Sequence, residues 1–263
     1  VPFTLSHPAA VLPLAKRPLV PSALVAGSIA PDLFWFTPAP EGLNLSETHE
    51  FTAVLWLDPL LALALLAVFQ LLLKRPLLAL APKPLAERLP RHFSRKRPWW
   101  IALSLVIGAA THVGWDAFTH ESGGPAFLRV PIVTGVDVGR LIQLVSTLAG
   151  AAVLGWWLWR WYRTAPVAPA PPGVRHRKTV IAALLTGALA GILIEVLPFL
   201  TDHTPMTPAG VVGNATYLLA TGACSGFAVA LGLYALAWHV RYRSLYAKKA
   251  APESGLPADE IRR

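Results

Sequence analysis

PWWIALSLVIGAATHVGWDAFTH, residues 98–120, decides the fold. Most of it is apolar enough for hydrocarbon, and its last turns carry His112, Asp116 and His120, one every four residues. That spacing sets all three on one face of a helix. Ionisable side chains at the end of an apolar helix are expensive beside a bilayer, and they ask for a metal, a proton path or a substrate.

Working outward, apolar runs of similar length recur at about 51–73, 141–162, 179–200 and 211–240. Each is near the roughly 20 residues that cross a hydrocarbon core of about 30 Å. Hydrophobic residues make up 54% of the chain and charged residues 14%, with a mean hydropathy of +0.51, which excludes an ordinary soluble domain. The expected fold is all-α, a polytopic transmembrane helical bundle with five to six membrane-embedded segments. One membrane domain would cover 1–248, followed by a flexible cytoplasmic tail, 249–263. The sixth segment, 18–36, is short and interrupted by Pro31 and Asp32. It either crosses or forms a re-entrant hairpin with the residues from 6 onward. Residues 1–19 contain Pro2, Pro8, Pro13 and Pro18 and lack the basic-then-apolar order of a cleavable signal peptide.

The charges are unevenly spread. The linker 74–97 holds Lys74, Arg75, Lys83, Arg88, Arg91, Arg95, Lys96 and Arg97 against Glu87 alone. Arg163, Arg175, Arg177 and Lys178 follow the third run, and Arg241, Arg243, Lys248 and Lys249 the last. The positive-inside rule assigns these stretches to the cytoplasm and the loops 120–140 and 201–210 to the outside of a bacterial cytoplasmic membrane. The net charge of +9 is then topological, and no nucleic-acid partner is expected. A single cysteine, Cys224, forms no internal disulfide and no thiolate zinc site, so any metal must use His, Asp or Glu. Trp99, Trp100, Trp156, Trp157, Trp159 and Trp161 lie at expected crossing ends as interfacial anchors.

That topology brings Asp32 and His49 to the same outer face as His112, Asp116 and His120. His7 joins them only if the first segment re-enters. At a rise of about 1.5 Å per residue, His112 is roughly 20 Å from Pro98, so the row occupies the outer third of the bilayer. Thr111, Thr119, Glu47, Glu50 and Glu121 are sequence neighbours able to orient the imidazoles. Asp58, Glu195 and His203 are weaker candidates, whereas His92, His176 and His239 fall in expected cytoplasmic stretches.

The opening PFTLSHPAAVLPL, then LVPSALVAGSIAPDLFWF, the Thr48–His49 pair before an apolar helix, and GAATHVGWDAFTH together resemble an uncharacterised bacterial membrane family, domain of unknown function 4184, most closely over 1–120. That family is in turn similar to predicted membrane-bound metal-dependent hydrolases and, distantly, to zinc-dependent phospholipases C. The resemblance implies metal ligands at His7, Asp32, His49, His112, Asp116 and His120. It also implies a catalytic, metal-bridging carboxylate at Asp116 or Asp32, metal-bound water as the nucleophile, and zinc or manganese as the divalent metal. A later H-x3-E/D pair of the soluble enzymes has no counterpart. The expected activity is hydrolysis of a phosphoester or lipid headgroup, with the lipid bilayer as partner and the site on the extracytoplasmic side. The alternative is a non-enzymatic transporter or ion carrier using the same His/Asp row, whose site should lie near the membrane midplane.

Overall fold

The structure is a computed structural model and describes residues 4–36, 45–90, 97–119, 125–133, 136–201 and 208–250. The helices are α1 (Pro8–Val11), α2 (Pro21–Ile29), α3 (Leu57–Ala67), α4 (Lys74–Leu80), α5 (Lys83–Ala86), α6 (Pro98–Thr119), α7 (Val138–Thr164), α8 (Arg177–Thr201) and α9 (Pro208–Ala250). A short antiparallel pair, β1 (Pro131–Val133) and β2 (Val136–Asp137), is the one sheet among the described residues. Five helices are long and apolar enough to cross a membrane: Leu57–Leu80, Pro98–Thr119, Val138–Thr164, Arg177–Thr201 and Gly213–Arg241. The chain is a polytopic transmembrane helical bundle, whose exposed Leu148, Ile194 and Val229 are apolar surface that a bilayer covers.

The first crossing differs from the run expected at 51–73. It starts at Leu57 because Pro59, which has no N–H to give, fits only in a first turn. It then continues through a π-helical turn, Val68–Leu73, into α4 as far as Leu80. Pro76 inside this rod frees the Leu72 carbonyl four residues back, and His239 Nε2 of α9 takes it at 2.9 Å. Helix α7 is capped at its N-terminus by Asp137, whose Oδ1 accepts from the Arg140 N–H at 2.7 Å.

Segment 18–36 is not among the five crossings. Helix α2 has nine residues, about 14 Å at the α-helical rise, and a 3-10 turn over Ala30–Trp35 follows it. It lies alongside α6 and parallel to it. The Val20 N–H donates to Ser104 Oγ at 2.9 Å, and the Ser28 carbonyl lies 2.8 Å from His112 Nδ1, both pairs 84 residues apart. Between them Gly27 meets Gly108 so closely that a Cβ on either would collide with a backbone carbonyl of the other helix. Val20, Ala23, Ala26 and Ala30 then fill a small-residue core against Ala62, Leu66 and Leu105. The preceding turn returns the chain start to the other end of this pair, where a Cβ on Gly150 of α7 would press on Ser6 at 2.8 Å.

Helices α8 and α9 form a second close pair, in which a Cβ on Gly191 would strike the Gly222 carbonyl. The bundle has one end rich in lysine and arginine, tied together by Arg88 Nε to the Tyr162 carbonyl at 3.0 Å and Arg177 Nε to the Leu80 carbonyl at 2.8 Å. Asp32, Asp58 and Asp116 gather toward the opposite end.

Candidate metal centre

The last turns of α6 present His112 and Asp116, one turn apart, into the interior, where they are 0% and 2% exposed. The constant offset between α2 and α6 brings Asp32, on the 3-10 turn opened by Pro31, level with Asp116. A third element, the 3-10 turn Leu45–His49, delivers His49 from above; its side chain is 21% exposed, so this is the side on which the centre meets solvent. His7, immediately before Pro8 of α1, completes the group from a fourth direction.

Distances define a single focus. Asp32 Oδ1 lies 3.2 Å from His49 Nε2 and 3.4 Å from His112 Nε2. Asp116 Oδ2 lies 3.6 Å from His49 Nε2 and 3.4 Å from His112 Nε2. All four atoms are within 4.8 Å of one another, and Asp32, His49, His112 and Asp116 can hold a metal ion. The other Asp116 oxygen, Oδ1, is 3.6 Å from His7 Nε2, and the His7 ring stacks on His112 with centroids 3.9 Å apart.

The hydrogen bonds behind these atoms fix which nitrogen faces inward. His112 Nδ1–H donates to the Ser28 carbonyl, which leaves Nε2 with a lone pair. Thr48 Oγ1 gives its one hydrogen to the Pro31 carbonyl at 2.9 Å, so its 3.2 Å contact with His49 Nδ1 is accepted from the ring, and His49 Nε2 faces the focus, a lone pair once its proton is displaced. The Thr4 hydroxyl donates to Asp32 Oδ2 and turns Oδ1 toward the focus. Among the described residues His112 Nε2 and His7 Nε2 are buried with no hydrogen-bond partner, a costly condition that a cation relieves. Donor atoms that share one ion with bonds of about 2.0–2.1 Å stand roughly 3–3.4 Å apart, and the four N–O distances above lie close to that spacing.

Charge tells the same story in the cation-free protein. Burial alone would lower the His49 imidazole, but Asp116 and Asp32 outweigh it and raise it to about 9. Burial likewise opposes ionisation of Asp32, yet the imidazoles of His112 and His49 and the Thr4 hydroxyl hold it well below the usual carboxylate range. His7 is pushed down to about 4, first by burial and then by His112, so it stays neutral. The focus attracts positive charge, and a proton on His49 stands in when no ion is there.

Of the six residues expected as ligands, four share the focus, His7 adjoins it through Asp116, and His120 lies outside the described residues, as do Asp202 and His203. The orienting groups are Thr4, Ser28 and Thr48. The side chains of Thr111 and Thr119 bond carbonyls of their own helix instead, at 2.7 and 3.1 Å, and Glu50 accepts from Thr52. Two of the missed groups had a signal: Thr48 is next to His49, and Ser28 is one helical turn before Asp32. Asp58 is fully buried on the first turn of α3, within electrostatic reach of His49 and His112, and among the described residues its two oxygens have no hydrogen-bond partner.

A bundle of membrane-crossing helices with a buried His/Asp centre at one end is thus an intrinsic membrane protein able to take up a metal ion. The chain belongs to the family described as Domain of unknown function (DUF4184), whose pattern matches residues 1–236 and so extends over every described ligand and all five crossings as far as most of α9. No curated protein and no solved structure matches it.

Proposed function

We propose that the chain is a membrane-bound metal-dependent hydrolase of phosphoesters, with the headgroup of a phospholipid as the substrate class. The observation that carries this reading is the convergence of Asp32 Oδ1, His49 Nε2, His112 Nε2 and Asp116 Oδ2, with N–O distances of 3.2–3.6 Å, at a centre that meets solvent beside His49, where a water can join the ligand set. Two carboxylates balance one divalent charge, and a nitrogen–oxygen donor set without thiolate suits zinc, or manganese as the harder ion. His7 extends the set through the second oxygen of Asp116, and His120, four residues beyond, is the remaining ligand that the family resemblance implies.

A bound divalent ion would supply Lewis acidity and a water acidic enough to act as nucleophile near neutral pH. The chain's own part is to position and to move protons. Thr4, Ser28 and Thr48 hold Asp32, His112 and His49 in one orientation. Asp116, with Oδ1 turned to His7, is the carboxylate that accepts a proton from the attacking water, and Asp32 aligns that water. The oxygen adds to phosphorus, the ester P–O bond breaks, and the proton passes to the leaving alcohol.

The lysine and arginine excess at one end supports a cytoplasmic assignment of that end by the positive-inside rule, and with it a centre on the extracytoplasmic side of a bacterial cytoplasmic membrane. Asp116 lies about 27 Å of helix from Pro98 at the basic end, close to the full depth of a hydrocarbon core of about 30 Å. That shallow position supports a hydrolase over a carrier, whose site belongs near the midplane.

The test is elemental analysis of detergent-purified protein beside a His112→Ala/Asp116→Ala variant of matching helix content. Hydrolysis is then assayed on phosphatidylcholine and phosphatidylglycerol vesicles and on bis(4-nitrophenyl) phosphate. Stoichiometric zinc or manganese, lost in the variant, with turnover only by metal-loaded protein, is the expected result. Bound metal without turnover of any of these phosphoesters would refute the hydrolase and favour a carrier; absence of metal after reconstitution would refute the centre itself.

A further inference from the structure

At the basic end, far from the metal centre, the rod formed by α3 and α4 is flanked by two clefts that share one polar turn. The first, about 450 Å³, is bordered by Ser22, Phe69, Gln70, Lys74, Leu77 and Leu89 among others. The second, about 390 Å³, lies on the other side of the rod between Leu63, Leu66, Gln70, Lys74, Arg75 and Ile101. Each falls within the roughly 300–1,000 Å³ of small-molecule sites.

Gln70 and Lys74 border both clefts because they sit on and just after the π-helical turn Val68–Leu73. Such turns occur frequently at functional sites. Gln70 is an amide inside a membrane-crossing helix. Its Nε2 reaches Ser22 Oγ only at 3.5 Å, so among the described residues the amide N–H groups have little to donate to. An unsatisfied amide costs several kcal/mol in hydrocarbon, so this one is built for a polar group arriving from elsewhere.

In the second cleft the polarity changes with depth in the order of a lipid leaflet: Lys74 and Arg75 lie toward the basic end, Gln70 is one turn deeper, and beyond it the walls are Leu63, Leu66 and Ala67. We propose that the second cleft holds one anionic phospholipid, its phosphate at Lys74 and Arg75, a glycerol ester carbonyl accepting from Gln70 Nε2, and an acyl chain along Leu63, Leu66 and Ala67. Basic recesses between crossing helices recognise anionic headgroups in this way. The lipid here is a structural ligand of the basic end, distinct from any substrate at the metal centre, and the inference does not depend on the hydrolase reading.

The experiment uses the full chain, delipidated in detergent, with bound lipid counted by native mass spectrometry. The probes are dioleoylphosphatidylglycerol, dioleoylphosphatidylcholine and inorganic phosphate. One phosphatidylglycerol should be retained in preference to phosphatidylcholine, and the Lys74→Gln/Arg75→Gln variant should lose roughly thirtyfold of that preference, from about 1 kcal/mol per basic residue near an anionic headgroup at about 1.4 kcal/mol per tenfold. Lys74→Arg/Arg75→Lys should keep it. Gln70→Leu, with both charges intact, should weaken retention of both lipids. Equal retention of the two lipids by the wild-type chain, an unchanged preference in the double variant, or inorganic phosphate displacing the lipid would each overturn the assignment. If the double variant does not fold, salt decides: the preference must fall as ionic strength rises, and a salt-independent preference overturns the proposal.

Discussion

Thr48→Val is the sharpest probe of the centre, because it leaves every ligand in place and removes only the link behind one of them. Thr48 Oγ1 accepts from His49 Nδ1 at 3.2 Å and donates to the Pro31 carbonyl at 2.9 Å. Valine matches its shape and does neither. His49 is the most exposed of the four ligands and comes from a short 3-10 turn, so the Thr48 contact bears directly on its ring and tautomer. Losing the partner of a metal-bound imidazole typically costs 10–100-fold in metal affinity, or about 1.4–2.7 kcal/mol. The freed Pro31 carbonyl also costs about 1–3 kcal/mol of stability. That loss is common to metal-free and metal-loaded protein and cancels from the binding constant. Competition against a chromophoric chelator, with wild type, Thr48→Val and Thr48→Ser side by side, gives the number. Serine should restore most of the affinity. A Thr48→Val constant within twofold of wild type would show that the hydroxyl does not orient His49, and the tautomer argument would fall with it.

Metal affinity should rise with pH up to about 9, by close to tenfold per unit where one proton is displaced, since His49 holds its proton until about that value when no cation is bound; a Kd that does not change between pH 6 and 8 would contradict the raised value. The stability sign is the opposite. With its folded value above the ordinary 6.5, His49 contributes stability to the metal-free protein that is complete below 6.5 and disappears as pH rises through 9, which chelator-treated melts at pH 6 and 9.5 will show. Gly108→Ala should destabilise by about 1–3 kcal/mol and lower metal content, because its Cβ meets the Leu24 carbonyl and parts α2 from α6, whereas Gly114→Ala, with nothing within 4 Å, should be neutral or slightly stabilising; equal melting temperatures would refute the close-packing account. Chelation should raise amide exchange in residues 4–14 and 28–35 well before α8 and α9, and uniform exchange would show that the centre does not fasten the amino-terminal segment.

The parts of this molecule legible in its sequence are those governed by local periodicity. The apolar runs gave the crossings, and the four-residue recurrence in THVGWDAFTH placed His112 and Asp116 on one buried face of α6. What was not legible depends on distant partners. The end of the first crossing at Leu80 rests on His239, 167 residues away, taking the Leu72 carbonyl that Pro76 releases. The roles of Ser28 and Thr4 depend on α2 lying parallel to α6 and on Thr4 meeting Asp32, 28 residues on. A hydroxyl in the sequence shows no preference between its own helix, as at Thr111 and Thr119, and a distant carboxylate, as at Thr4. Only the packing decides.

The packing itself explains why the centre is assembled from four segments. Small residues make the α2–α6 contact: Gly27 on Gly108, with Ala23, Ala26 and Ala30 nearby. Close backbones bring good van der Waals contact, but alanine and glycine bury little apolar surface at about 25 cal/mol per Å². In a bilayer, moreover, neighbouring lipid is as apolar as the helix it would replace. The amino-terminal segment therefore needs polar anchors, and it has them at both levels of the pair: Val20 on Ser104 at one, and Ser28, Asp32 and His7 around His112 and Asp116 at the other. Two carboxylates among buried imidazoles are stable only with compensating positive charge. A proton on His49 supplies part of it, and an ion that binds all four donor atoms would supply the rest, with up to about 4.1 kcal/mol at a thousandfold excess over its Kd. On this argument the ligands and the fold are coupled: the ion is held because the segment docks, and the segment docks more firmly because the ion is held.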